Sequence, residues 1–193
     1  MKDKKNIQKS LIKAAGQVFS QYGYKKTSME DIARKFGMGK SSLYYYFKSK
    51  EEIFEQVIIF EADLLREKLK KVFEKYQDPR QRLNNYILVR MKTFRELSNY
   101  YDAIFSEDLA HFKFIEQIRI RYDQEEIATL EKILSEGVRL QVFKLENTVL
   151  AATAIFTAIK GLEIPLFWKN KYMDIENRVD DLVKILFYGI LKR

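Results

Sequence analysis

Cysteine is absent from the 193 residues. Its absence excludes disulfides, thiolate metal sites and cysteine nucleophiles, and it suits a reducing compartment. Two prolines and seven glycines are too few for the many turns of an all-β chain. One histidine leaves few groups for acid–base chemistry. Long apolar stretches are missing too. The longest uncharged run reaches only from Asn147 to Ile159, short of the roughly 20 residues that span a bilayer. The N-terminus is rich in lysine and has no apolar signal core. A helical, soluble, cytoplasmic protein with no membrane partner is therefore expected.

What is present is charge, and it is unevenly placed. The total is +8, from 35 Lys+Arg against 27 Asp+Glu. Residues 1–50 hold 12 basic against 3 acidic residues, a balance of +9; the remaining 23 and 24 leave −1 for residues 51–193. All of the excess positive charge sits in the first quarter of the chain. A basic module for a polyanion, joined to a neutral body with another task, has this distribution. A solvated lysine surface would have it as well, so local residues must decide.

Apolar spacing is helical nearly throughout. Ile7, Leu11, Ala14, Ala15, Val18 and Phe19 recur at i, i+3/i+4 and predict an amphipathic helix ending near Tyr22-Gly23. Thr27-Ser28-Met29-Glu30 has the form of a capping box and opens a short second helix, with Gly37 as its left-handed stop. A third helix covers about residues 40–47. Ser49-Lys50-Glu51-Glu52 then opens a long helix through about Tyr76, and Asp78-Pro79 opens another through about Leu97. Helices near 102–110, 112–136, 147–167 and 174–191 complete an all-α chain of about nine helices. The expected division is a basic domain at 1–50 and a larger helical domain at 51–193.

Short helix, tight turn and short helix suggest a helix-turn-helix. Ala33, four residues before Gly37, lets two helices cross closely. On a wheel advancing about 100° per residue, Leu43 and Phe47 share the buried face of the third helix. Tyr44 and Tyr46 flank that face, while Tyr45 points away from it with Ser41 and Ser42 on the same side. A recognition helix needs this division, because its N-terminal residues read base edges and its flanks meet phosphates. Lys40 suits guanine O6/N7, and the small Ser41 permits close approach. Lys48 and Lys50, beside the start of the next helix, and Thr27 and Ser28, at the start of the second, are candidate phosphate contacts. The hydroxyls of Thr27 and Ser49 have capping roles in addition.

Thr27-Ser28-Met29-Glu30-Asp31-Ile32-Ala33 and Gly37-Met38-Gly39-Lys40-Ser41-Ser42-Leu43-Tyr44-Tyr45-Tyr46-Phe47-Lys48-Ser49-Lys50-Glu51-Glu52 together resemble the DNA-binding domain of TetR-type transcriptional regulators. The motif similarity covers about residues 7–55; beyond it only helix number, length and order agree. The resemblance implies an all-helical homodimer, usually a repressor, on a near-palindromic double-stranded operator. It also implies a C-terminal domain that binds a small molecule and pairs with its twin through its last two helices. Carried over by position, Lys40, Ser41 and Ser42 face bases, and Thr27, Tyr44, Tyr45, Tyr46 and Lys50 face phosphates. Gly39 departs from the family, which usually places a Ser or Thr cap there, so one capping or phosphate contact is expected to be missing.

Residues 51–193 show no phosphate loop, no catalytic triad spacing and no zincin motif. Glu107, Asp108 and His111 have helical metal-ligand spacing but no further ligand, and a polar helix junction explains them. No cofactor and no metal are expected. Tyr101, Phe105, Phe112, Tyr122, Phe156 and Trp168 are the candidate lining of a site for an apolar or aromatic effector. Ala151, Ala154, Ala158 and Gly161 form a small-residue ridge. Val179, Leu182, Val183, Leu186, Phe187 and Ile190 supply apolar stripes on the last helix, so both helices are candidates for a dimer interface. The expected function is a ligand-released transcriptional repressor. Its rivals are an activator or an effector-independent DNA-binding protein, and, from another class, a helical enzyme with a basic docking arm.

Overall fold

The computed structural model describes residues 2–97, 99, 109, 112–168, 181, 184 and 185. Among the described residues seven helices follow one another: α1 (Lys2–Lys26), α2 (Met29–Phe36), α3 (Lys40–Tyr46), α4 (Lys50–Lys75), α5 (Pro79–Glu96), α6 (Lys113–Arg139) and α7 (Thr148–Trp168). The all-α class is borne out. Apart from residues 109, 181, 184 and 185, the expected helices near 102–110 and 174–191 lie outside the described residues.

Several boundaries follow from single residues. Gly23 has φ 78° and ψ 159°, a kink where the first helix was expected to end, but helical turns resume as far as Lys26. Thr27 does not cap α2; Ser28 does. Its Oγ accepts from the Asp31 N–H at 3.2 Å, and the Asp31 carboxylate accepts from the Ser28 N–H at 2.9 Å, so Asp31 replaces Glu30 in the capping box. The register moves by one because Thr27 turns inward, donating from Oγ1 to the Gly23 carbonyl at 2.8 Å. Gly37 closes α2 in the left-handed region, as glycine permits. Ser49 caps α4 through the Glu52 N–H at 3.1 Å, while Glu52 accepts from the Lys48 N–H rather than from that of Ser49. Asp78 caps α5 by accepting from the Gln81 N–H at 2.9 Å.

The chain forms two compact units, one from residues 1–64 with 97–118 and one from 65–96 with 119–193. In the first, Leu11, Ala15, Val18 and Phe19 of α1 are buried together with Ile32 and Ala33 of α2, Leu43 and Phe47 at α3, and Ile53, Phe54, Val57 and Ile58 of α4. Aromatic rings extend this core: Tyr24 lies 4.7 Å from Phe54 and 5.3 Å from Phe112, which lies 5.4 Å from Phe114. Asn99 is buried and donates to the Gly16 carbonyl of α1 and to the Glu61 carboxylate of α4.

The second unit buries Leu83, Ile87 and Met91 of α5, Leu130, Ile133 and Leu134 of α6, and Ala152, Ile155 and Ile159 of α7. Its core also holds charge. Arg90, almost wholly enclosed, donates from Nε to Glu126, whose carboxylate also accepts from Tyr86 Oη at 3.5 Å. Burial, followed by the nearby Glu126 charge, raises the Tyr86 phenol well above its usual range. Arg82 pairs with Glu136, donates to the Tyr76 carbonyl at 2.6 Å and stacks over Phe73. At the end of α6 the chain folds back, so that a Cβ added to Gly137 would stand 2.1 Å from the Phe143 ring.

Candidate nucleic-acid interface

Two apolar side chains orient α3. Leu43 and Phe47 are 0 % and 1 % exposed, and burying such side chains contributes about 2 kcal/mol each. With that face fixed, the rest of a seven-residue helix has no freedom to choose its neighbours. Tyr45 is 69 % exposed and Tyr44 46 %, while Tyr46 is half-buried and stacks edge-on against Tyr45 at 5.1 Å. Lys40, Ser41 and Ser42 are exposed at its N-terminal end, as is Lys48 just beyond its C-terminal end. The observed orientation is the one expected from the wheel. Gly39 stands at the N-cap and, having no side chain, leaves the cap without a side-chain hydrogen bond.

The flanking candidates differ in availability. Ser28 is exposed, although its hydroxyl serves α2. Bonds from the Ser28 hydroxyl and N–H, followed by the Arg34 guanidinium, hold the Asp31 carboxyl below its usual range. Thr27 is only 3 % exposed and is committed to Gly23. Lys50 is half-buried: Nζ donates to the Tyr24 carbonyl at 2.9 Å and sits 4.3 Å from the centre of the Tyr24 ring. Burial lowers its pKa from the ordinary lysine value. The exposed surface therefore brings together Lys40, Ser41, Ser42, Tyr44, Tyr45 and Lys48, with Thr27 and Lys50 holding the local backbone.

Residues 11–57 match the family model for bacterial regulatory proteins of the tetR family. Over this stretch the chain is similar to TetR-family regulators. It is 29% identical over 145 residues to the uncharacterized HTH-type transcriptional regulator YhgD of Bacillus subtilis, covering 74% of this chain and 63% of that relative. The chain thus matches less than two thirds of that relative's length. A transcriptional regulator from Cytophaga hutchinsonii shares its fold with a TM-score of 0.79 and 26% identity, covering 95% of this chain and 98% of the other. AibR, solved in complex with isovaleryl coenzyme A and operator DNA, shares the fold with a TM-score of 0.64 at 20% identity, covering 93% and 97%.

The other candidates divide by position. Phe112 belongs to the aromatic core of the first unit, beside Tyr24 and Phe114. Tyr122 and Phe156 are buried in the second unit. Tyr101, Phe105 and the side chain of Trp168 lie outside the described residues. On α7, Ala154 and Gly161 are exposed, and Ala151 and Ala158 half-buried. Val179, Leu182, Val183, Leu186, Phe187 and Ile190 lie outside the described residues, as do Glu107, Asp108 and His111. Among the described residues no cluster of three or more His, Cys, Asp or Glu could hold a metal. No described helix is long and apolar enough to cross a membrane.

Two features were missed by pattern reading. Arg90 follows Tyr86 by one turn and precedes the buried Thr93; a charge inside such a stripe is the signal of a buried ion pair. Lys4 of α1 places Nζ 4.4 Å from the centre of the Tyr45 ring, a contact between residues too distant in sequence for any local period to pair.

Proposed function

We propose that this protein is a homodimeric transcriptional repressor that holds operator DNA through residues 1–50 and leaves it when a small apolar or aromatic molecule occupies the 51–193 region. One observation carries the reading. The short α3 hides Leu43 and Phe47 and leaves Lys40, Ser41, Ser42, Tyr44 and Tyr45 exposed, as a helix entering a major groove requires. The family match supports DNA as the partner, and repression is the usual mode in the family that the motif resembles. AibR, complexed with both an acyl-coenzyme A and its operator, supports a small-molecule effector.

Pairing with a second copy is supported by the uncovered face of α7. Val149 and Leu150 are 55 % and 67 % exposed, and Ala154 and Gly161 follow without a bulky or charged side chain. A dimer would set two α3 helices about 34–36 Å apart for successive major grooves. An effector that prefers a differently spaced state would shift the population off DNA.

Gel-shift titration of the full chain, with and without a metabolite extract, tests the reading. Operator binding that the extract weakens supports it. Binding that no extract alters favours an effector-independent regulator, and transcription that rises with occupancy favours an activator. No preference for any duplex over random DNA at physiological salt contradicts it.

A further inference from the structure

The basic residues of the N-terminal region are not equivalent once their partners are considered. Arg34 is paired with Asp31, and Lys50 is committed to the Tyr24 carbonyl. Lys4 is different. It is exposed, and among the described residues it makes no ion pair with a carboxylate. Its Nζ is nonetheless held, 4.4 Å from the centroid of the Tyr45 ring. Tyr45 is the outward tyrosine of α3, 69 % exposed, with Tyr46 edge-on against it. A cation over an aromatic face is drawn there by the negative centre of the ring. The contact thus keeps an uncompensated charge at the edge of the surface that carries Lys40, Ser41 and Ser42.

We propose that Lys4 is a phosphate contact of the DNA complex, with the Tyr45 ring as its positioning support. The binding face then extends beyond the helix-turn-helix onto the first turns of α1. This inference rests on the DNA-binding reading above and deepens it. A duplex presents one negative charge per about 1.7 Å of its axis, so an ammonium fixed beside the reading helix has phosphates on either side of the groove within range. Because a lysine chain is long and mobile, ordering it before binding reduces the entropy lost when the phosphate arrives.

The test is the salt dependence of affinity for the full chain, measured on its selected operator and on random duplex. Each phosphate contact contributes about 0.9 to the slope of log K against log salt. Lys4→Ala is expected to flatten the slope by about 0.9 per bound protomer and to weaken both duplexes alike. Lys4→Arg should restore the slope. Tyr45→Phe keeps the ring and should leave the Lys4→Ala effect intact, whereas in a Tyr45→Ala background Lys4→Ala should cost at least threefold less affinity. A wild-type protein that binds DNA but whose slope is unchanged by Lys4→Ala overturns the inference and spares the function. A wild-type protein that binds no duplex overturns both.

Discussion

Lys40 and Lys48 bracket α3, and their different places predict different losses. Lys40 stands at the end of the helix that would enter the groove, and a well-placed base contact discriminates by about 1–3 kcal/mol. Lys40→Ala should therefore relax preference at one operator position while keeping affinity for random duplex. Lys48 lies past the last turn, where phosphates are the accessible partners, so Lys48→Ala should weaken all sequences about equally. Competition binding on a panel of single-base operator variants separates the two patterns, and the reverse pattern would exchange their roles. Gly137 gives a prediction about stability. A methyl group there would stand 2.1 Å from the Phe143 ring, and forced repacking of a filled site costs about 1–3 kcal/mol. Gly137→Ala should lower Tm by several degrees in calorimetry; an unchanged Tm would mean that the ring moves freely. Single residues were unevenly legible in the sequence. The outward aim of Tyr45 follows from helix geometry and two apolar anchors. The inward turn of Thr27 does not, because it depends on the kink at Gly23.

At the scale of elements, α5, α6 and α7 are joined by charge as well as by apolar contact. Arg90 on α5 meets Glu126 on α6 and lies near Phe156 on α7, while Lys160 on α7 reaches Asp123 on α6 at 2.9 Å. Removing one partner of a buried pair leaves an uncompensated charge, at a cost of about 3–5 kcal/mol. Arg90→Met should destabilise by that amount in urea titration, and adding Glu126→Leu should recover much of the loss. A double variant no more stable than the single one would show that the pair does not act as a unit. Tyr86 adds a dependence on pH. Its phenol is held well above the ordinary 10.0 by burial, followed by the Glu126 charge. Above pH 10.0 the unfolded tyrosine loses its proton while the folded one keeps it, so the unfolded state binds fewer protons and stability falls as pH rises. Urea midpoints collected through this alkaline range should fall less steeply for Tyr86→Phe than for wild type; parallel curves would contradict the assignment. Helix positions and caps were legible here because period and capping are local. The ion pairs were not, since pairing between helices depends on how they pack.

For the whole molecule, the uneven charge of the chain acquires a use. The +9 of residues 1–50 falls on the same stretch as α2 and α3 and the matched family model, so the basic module and the reading helix coincide. In the proposed dimer the near-neutral remainder of the chain would pair with a second copy and take an effector. A homodimer with two such modules calls for an inverted repeat, and its binding should fall steeply with salt. The most direct measurement is selection of bound duplexes from a random library by the full-length protein at about 150 mM salt. The account predicts enrichment of a near-palindromic sequence whose half-sites lie about one helical turn, or a multiple of one, apart. Recovery of a library no different from its input would contradict it.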